Sequence, residues 1–156
     1  MNINTLTIKA QELLQSAMTL AHTKGHQSLE PQHILASAIA DDSSLASYLF
    51  GRVGVNINAL RKQTEEAIER LPRVEGAENN IFFSRESSAV IQRASELTRT
   101  FADKYASVEH IVAAMAHERS TVRDILKHMG VTEEQLIAAI KEFRKGASID
   151  SATEDM

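Results

Sequence analysis

The residues with the most chemical potential are six histidines and a scatter of carboxylates and hydroxyls. His22 and His26 stand four apart and His33 follows, a spacing that could bring imidazoles to one metal. Gly25 interrupts the helix that would align the first two, and no acidic residue completes a ligand motif. His33 and His110 read instead as structural residues near the starts of two helices. Gly51-Arg52-Val53-Gly54 lacks the Lys-Ser/Thr ending and the preceding strand of a phosphate loop. Ser, His and Asp are all present, but a triad is a geometry, and no Gly-x-Ser-x-Gly elbow occurs. With no cysteine, the chain has neither a thiol nucleophile nor a disulfide framework. Asp103 and Glu109 flank a predicted turn, six residues apart. They suit paired acid/base work on paper, and equally capping, solvation or contact with a partner. No catalytic centre emerges, which leaves a recognition surface. Leu6, Ile8, Tyr48, Phe82, Phe83 and Tyr105 lie near loop ends, where they supply either core or an exposed apolar patch.

The elements that position these residues form an internal repeat. Ala17, His33-Ile34-Leu35-Ala36, Leu45, Leu49, Gly54-Val55 and Leu60 recur as Ala94, His110-Ile111-Val112-Ala113, Val122, Leu126, Gly130-Val131 and Leu136. The offset reads as 77 up to Leu49/Leu126 and 76 from Gly54/Gly130, so one residue is missing between those pairs. Thr5 or Thr7 caps a first helix with Ala10, Leu13, Leu14, Ala17, Met18 and Ala21 at helical spacing, ended by Gly25. Pro31 opens a second helix, because its missing N–H is not needed in a first turn. Asp41-Asp42-Ser43-Ser44 breaks that helix and starts a third. Asn56 or Asn58 caps a fourth, which Pro72 stops.

The second copy begins at Ser84 or Ser87, with Val90, Ile91, Ala94, Leu97 and Phe101 as its stripe. Ser107 and Ser120 or Thr121 cap the next two helices. Thr132 with Gln135 is a capping-box pattern for the eighth, whose inward face carries Leu136, Ile137, Ile140 and Phe143. Between the copies, Pro72, Gly76 and Asn79-Asn80 mark a loop whose apolar end, Ile81-Phe82-Phe83, is pinned to the domain. No convincing strand appears. The expectation is all-α: eight helices as two pseudo-twofold-related four-helix repeats in one domain over 1–146. Repeat one spans 5–71, the joining loop 72–83 and repeat two 84–146. Each half, at roughly 65 residues, is marginal alone. Residues 147–156 are small, polar and acidic, and read as the start of a flexible linker.

Bulk composition narrows the function class. The 156 residues carry a net charge of −4, 43% apolar and 24% charged side chains. That is ordinary for a soluble globular protein, and a nucleic-acid binder usually shows a basic stripe instead. No apolar run approaches the ~20 residues needed to span a bilayer. The start, Met1-Asn2-Ile3-Asn4-Thr5-Leu6, has no basic region followed by an apolar core, so the expected location is the cytoplasm.

The repeated Glu30-Pro31-Gln32-His33-Ile34-Leu35 and Val108-Glu109-His110-Ile111-Val112 segments resemble the double Clp N-terminal repeat domain. Arg70-Leu71-Pro72-Arg73-Val74-Glu75-Gly76 and the ending Phe143-Arg144-Lys145-Gly146 resemble its ClpB-type disaggregase branch. The resemblance covers residues 5–146. It implies a non-catalytic, monomeric domain with no cofactor of its own. The domain would be tethered to a hexameric AAA+ parent that binds ATP and Mg, carries a coiled-coil middle domain and serves the stress response. It implies unfolded or aggregated polypeptide as client and cooperation with a DnaK-type chaperone. Thr7, Asp103 and Glu109 fall on family positions implicated in substrate engagement. The related ClpC and ClpA proteins dock dedicated adaptors, which is the alternative function. The ClpC type usually opens the second helix of each repeat with Gly-Thr-Glu-His. The present Glu30-Pro31-Gln32-His33 and Ser107-Val108-Glu109-His110 depart from that signature.

Overall fold

The structure, a computed structural model, describes residues 3–75 and 80–153. Among them are eight α-helices: α1 Ile8–Thr23, α2 Pro31–Ala38, α3 Leu45–Arg52, α4 Ile57–Glu69, α5 Arg85–Leu97, α6 Val108–Met115, α7 Thr121–His128 and α8 Glu133–Arg144. Nearly every one starts where its sequence says it should. Thr7, Ser44, Asn56, Ser84, Ser120 and Thr132 each accept a hydrogen bond from the backbone N–H three residues on. Each satisfies one of the donors that a helix leaves orphaned in its first turn. Pro31 is the first residue of α2. The expected turn residues Gly76 and Asn79 lie outside the described residues.

The register of the repeat differs from the sequence reading at one point. Ser44 and Ser120 cap α3 and α7, which are 76 apart, whereas α2 and α6 are 77 apart. The missing residue therefore falls in the turn between the second and third helices. Phe50, not Leu49, is the counterpart of Leu126. A deletion inside a helix would rotate the rest of its apolar face by ~100°, so it is tolerated only in a turn.

The two second helices form the centre. In α2, Gln32, His33, Ile34 and Leu35 are buried, and in α6 every residue from Glu109 to Met115 is buried. Helix α2 packs on α1 and α4 of its own repeat and on α5, α6 and α7 of the other. Helix α6 packs on α5 and α8, and on α1, α2 and α3. One hydrophobic cluster consequently runs from Leu6 to Ile140 through both repeats.

Two short strands correct the strand-free expectation. Ser28–Leu29 (β1) pairs in parallel with Phe82–Phe83 (β2), and Leu6 bridges Ala106. Both are too short for periodicity to reveal. They are reciprocal: the residue leading into α1 pairs with the one leading into α6, and the residue leading into α5 with the one leading into α2. Ile81 and Phe83 pack against the core, as the pinned loop end requires, whereas Phe82 is 57% exposed. Leu6 is fully buried, so it belongs to the core and not to a surface patch.

The expectation that 147–156 has little to bury fails at Ile149, which is fully buried. No helix among the described residues is long and apolar enough to cross a membrane.

Candidate functional site

The entrances of α2 and α6 are built alike around a histidine at the third helical position. His33 Nδ1 accepts the Glu30 N–H at 2.9 Å, and His110 Nδ1 accepts the Ser107 N–H at 2.8 Å. This is the reciprocal arm of a capping box with imidazole in the place usually taken by Glu or Gln. The structural reading of both histidines therefore holds. Because each Nδ1 accepts, each neutral ring carries its proton on Nε2. The His33 Nε2–H then donates to His26 Nδ1 at 2.9 Å, and the His110 Nε2–H to Asp103 Oδ2 at 2.7 Å. His26 and Asp103 hold equivalent repeat positions. Burial pushes His33 down to about 4, with the neighbouring His26 adding to the effect. Burial also lowers His110, against the opposing pull of Glu109 and Asp103.

In the second repeat this entrance continues into a buried charge cluster. The Arg144 guanidinium, from the last turn of α8, donates to Asp103 Oδ2 at 2.6 Å and to Glu109 Oε2 at 3.0 Å. The Ser107 hydroxyl donates to the other Glu109 oxygen. The Ile149 N–H donates to Asp103 Oδ1 at 2.7 Å. Phe101 covers the cluster, 4.8 Å from the guanidinium carbon and edge-on to His110. With His110 neutral, the cluster holds two carboxylates and one cation. The surplus negative charge is balanced by neutral donors and by the position of Glu109 in the first turn of α6, where the helix dipole is positive.

The structure thus brings together Asp103 and Glu109, while Thr7 caps α1 next to the Leu6–Ala106 bridge. None of the three is presented on the surface. Thr7 is fully buried, Glu109 is 1% exposed and the Asp103 carboxylate is shielded completely. Neither the solvated-turn reading of the two carboxylates nor direct display to a partner matches this placement. The physical reason is Arg144, 35 and 41 residues away in sequence, which makes burial of both carboxylates affordable. In the sequence Arg144 stands only within the family-like ending Phe143-Arg144-Lys145-Gly146. Its spacing from Asp103 carries no local signal.

An exposed apolar surface lies beside this cluster. A groove of about 660 Å³ opens between α1, the turn before α3, α3 itself, and residues of α6 and α8. Leu13, Leu45, Tyr48, Val108 and Phe143 line it, with Lys9 and Glu12 on one side. Tyr48 from repeat one and Phe143 from repeat two meet at 5.4 Å between ring centroids, and both remain substantially exposed. Tyr48 thus lies at the surface, whereas Phe143 departs from the inward face that the helical period predicts for it. The one-helix pattern did not show that α8 turns its Phe143 edge toward the other repeat.

No group of three or more His, Cys, Asp or Glu side chains among the described residues is arranged to hold a metal ion.

Comparison with known proteins agrees with this architecture. Residues 5–129 match the family profile described as the Clp repeat (R) N-terminal domain. The chain is 40% identical over 151 residues to the chaperone protein ClpB of Porphyromonas gingivalis, covering 97% of this chain but 17% of that protein. The Hsp104 N-terminal domain from Candida albicans superposes with a TM-score of 0.82 at 22% identity, covering 94% of this chain and 96% of that one. A ClpV N-domain in complex with a VipB peptide superposes with a TM-score of 0.72 at 17% identity, covering 93% and 90%. The chain therefore belongs to the Clp repeat N-terminal domain family of chaperones, as a non-catalytic domain whose curated relatives are ClpB proteins.

Proposed function

We propose that this domain engages unfolded or aggregated polypeptide through the groove between its repeats and helps deliver it to an ATP-dependent disaggregase. The observation that carries the reading is the exposed Tyr48–Phe143 pair on an apolar groove. Large aromatic side chains left half in water at a concave site gain from covering apolar client segments. The peptide held by the ClpV N-domain supports polypeptide as the ligand class of this fold. The chain spans about a sixth of the length of its ClpB relatives. Hexamer assembly, ATP and Mg use, cooperation with a DnaK-type chaperone and a cytoplasmic setting are accordingly assigned to a longer parent protein.

Thr7, Asp103 and Glu109 enter this reading as positioning residues. Thr7 fixes the start of α1, two residues before Lys9 on the groove wall. Glu109 is next to the groove residue Val108 and, with Asp103, ties α6 to α8, which carries Phe143.

The test is an NMR titration of the 156-residue chain with a permanently unfolded, reduced and carboxymethylated protein, and separately with its native form. Shifts confined to the unfolded partner and clustered on Leu45, Tyr48 and Phe143 are expected. Tyr48→Ala and Phe143→Ala should each weaken binding several-fold. Shifts of equal size with both forms, or clustering away from the groove, refute the reading. Tight binding of one folded partner would instead assign the groove to an adaptor.

A further inference from the structure

Among the described residues, four arginines are drawn wholly or partly out of solvent: Arg61, Arg93, Arg123 and Arg144. Three of them hold carboxylates. Arg61 holds that of Asp42, Arg93 that of Glu133, and Arg144 those of Asp103 and Glu109. Arg123, half-buried on α7, holds none: among the described residues its guanidinium has neither a hydrogen bond nor an ion pair. A guanidinium that is partly covered gives up water, and its five donors ordinarily find acceptors in exchange.

Arg123 lines a cleft of about 560 Å³ between the turn after α6, α7 itself and the start of α8. Arg119 and Lys127 line it too, both exposed and both without an ion pair among the described residues. Arg123 and Lys127 stand four residues apart on one face of α7, about 6 Å along its axis. Arg119 continues the row directly before the Ser120 cap. The carboxylates of the cleft do not answer these cations. Both Glu133 oxygens are taken by Arg93, at 2.6 and 3.0 Å. Glu118 faces His117, and Glu134 stands exposed on the opposite rim.

The first repeat builds the same element without any of these charges. The caps Ser44 and Ser120 align α3 with α7, so Ser43, Ser47 and Gly51 hold the places of Arg119, Arg123 and Lys127. There the turn is closed by local bonds: the Ser43 hydroxyl donates to Asp41 Oδ1 and the Ser47 hydroxyl to the Asp41 carbonyl, each at 2.9 Å. Small neutral residues therefore suffice for the fold, and the row of three cations is an addition of the second repeat.

We infer that this cleft is a second interaction surface, which takes an extended acidic segment of a partner polypeptide. A carboxylate of that segment supplies the acceptor that Arg123 lacks, with Arg119 and Lys127 holding its neighbours. In an extended chain every second side chain points to the same side and recurs at about 6.7 Å, close to the spacing of the cations. A planar guanidinium fork suits a carboxylate in two-point contact. A nucleic acid suits the cleft poorly: the chain carries a net charge of −4, and Glu118 and Glu134 repel a strand with a phosphate at every nucleotide. The Tyr48–Phe143 groove lies at the other end of α8, since Phe143 is nine residues beyond Glu134, or about 13 Å.

The probe is the capped peptide Gly-Glu-Ala-Glu-Ala-Glu-Gly, titrated at low salt into the isotope-labelled 156-residue chain and followed by NMR. Amide shifts should cluster on Arg119, Arg123, Lys127 and Thr132, and the same peptide with Gln in place of Glu should leave them unmoved. Arg123→Ser, which installs the residue of repeat one, should weaken binding about fivefold or more while the helical circular dichroism stays unchanged. Arg123→Glu combined with Lys127→Glu should lose the Glu peptide and gain its Lys counterpart. Shifts scattered over the surface, equal binding of the Gln peptide, or indifference to Arg123→Ser overturns the inference. Tighter binding of a hexathymidylate than of the Glu peptide assigns the cleft to phosphate chains and overturns it as well. Should the variants unfold, the Glu, Gln and hexathymidylate titrations of the unaltered chain decide.

Discussion

The Thr7 N–H donates to the Ala106 carbonyl at 2.9 Å, and 77 residues further on the Ser84 N–H donates to the Leu29 carbonyl at 3.1 Å. In each case the donor caps the first helix of one repeat and the acceptor leads into the second helix of the other. The repeats are stitched by an exchange of the same bond, not laid side by side. Since α2 and α6 also pack against helices of both repeats, neither half encloses a core alone.

One cooperative transition follows. Urea unfolding of the intact chain should give coincident curves by circular dichroism and by Tyr fluorescence. Fragments 1–76 and 77–146, expressed separately, should lack native dispersion in NMR spectra. Two stable halves, or two separated transitions, would contradict the exchange as the organising feature.

Arg144→Ala should lower stability by about 3–5 kcal/mol, because it leaves two buried carboxylates with no cation. Arg144→Met together with Asp103→Asn and Glu109→Gln should recover part of that loss, since it removes the stranded charges. Denaturant midpoints at fixed m-value measure both. A loss below ~1 kcal/mol for Arg144→Ala would mean that water reaches the cluster.

Acid should unfold the domain through its histidines. His33 is held down to about 4, and His26 and His110 are also lowered, chiefly by burial. The unfolded chain therefore binds protons that the folded chain refuses. Stability is at its full value above the ordinary histidine pKa of about 6.5 and falls as pH drops from there toward 4. His33 alone should account for on the order of 3 kcal/mol of that fall. A urea midpoint that stays flat between pH 7 and 5 would show that the buried rings are protonated in the fold.

Gly25 and Ala102 occupy equivalent repeat positions with φ of +74° and +56°. Glycine adopts this left-handed conformation freely, whereas alanine pays roughly 1–2 kcal/mol for it. Ala102→Gly should raise stability by about 0.5–1 kcal/mol after the extra chain entropy of glycine is subtracted. Gly25→Ala should lower it by a similar amount. Thermal melts of both variants test the pair, and a destabilising Ala102→Gly would count against the strain.

Much of the fold was legible because its determinants are local. Thr7, Ser44, Asn56, Ser84, Ser120 and Thr132 mark helix starts through side chains that reach only three residues ahead. His33 and His110 betray a structural role by recurring at the same helical position. The apolar stripes needed only the 3.6-residue period. The misplaced deletion was a matter of register: Leu49 and Phe50 are both apolar, and only the cap positions show which one corresponds to Leu126.

What the tertiary structure decided depends on residues far apart in the chain. Phe143 meets Tyr48 across the repeats, Arg144 makes the burial of Asp103 and Glu109 tolerable, and Leu29 finds Phe83 as a strand partner. Ile149 is a single apolar residue in a polar tail, too little for any periodic signal, yet it is fully buried, with its backbone bonded to Asp103 and Lys104. Local propensity and periodicity fix which segments are helices and which face turns inward. Whether a carboxylate is solvated or buried is set by the cation that folding brings to it, because the Coulombic and desolvation energies that decide it depend on distance in space.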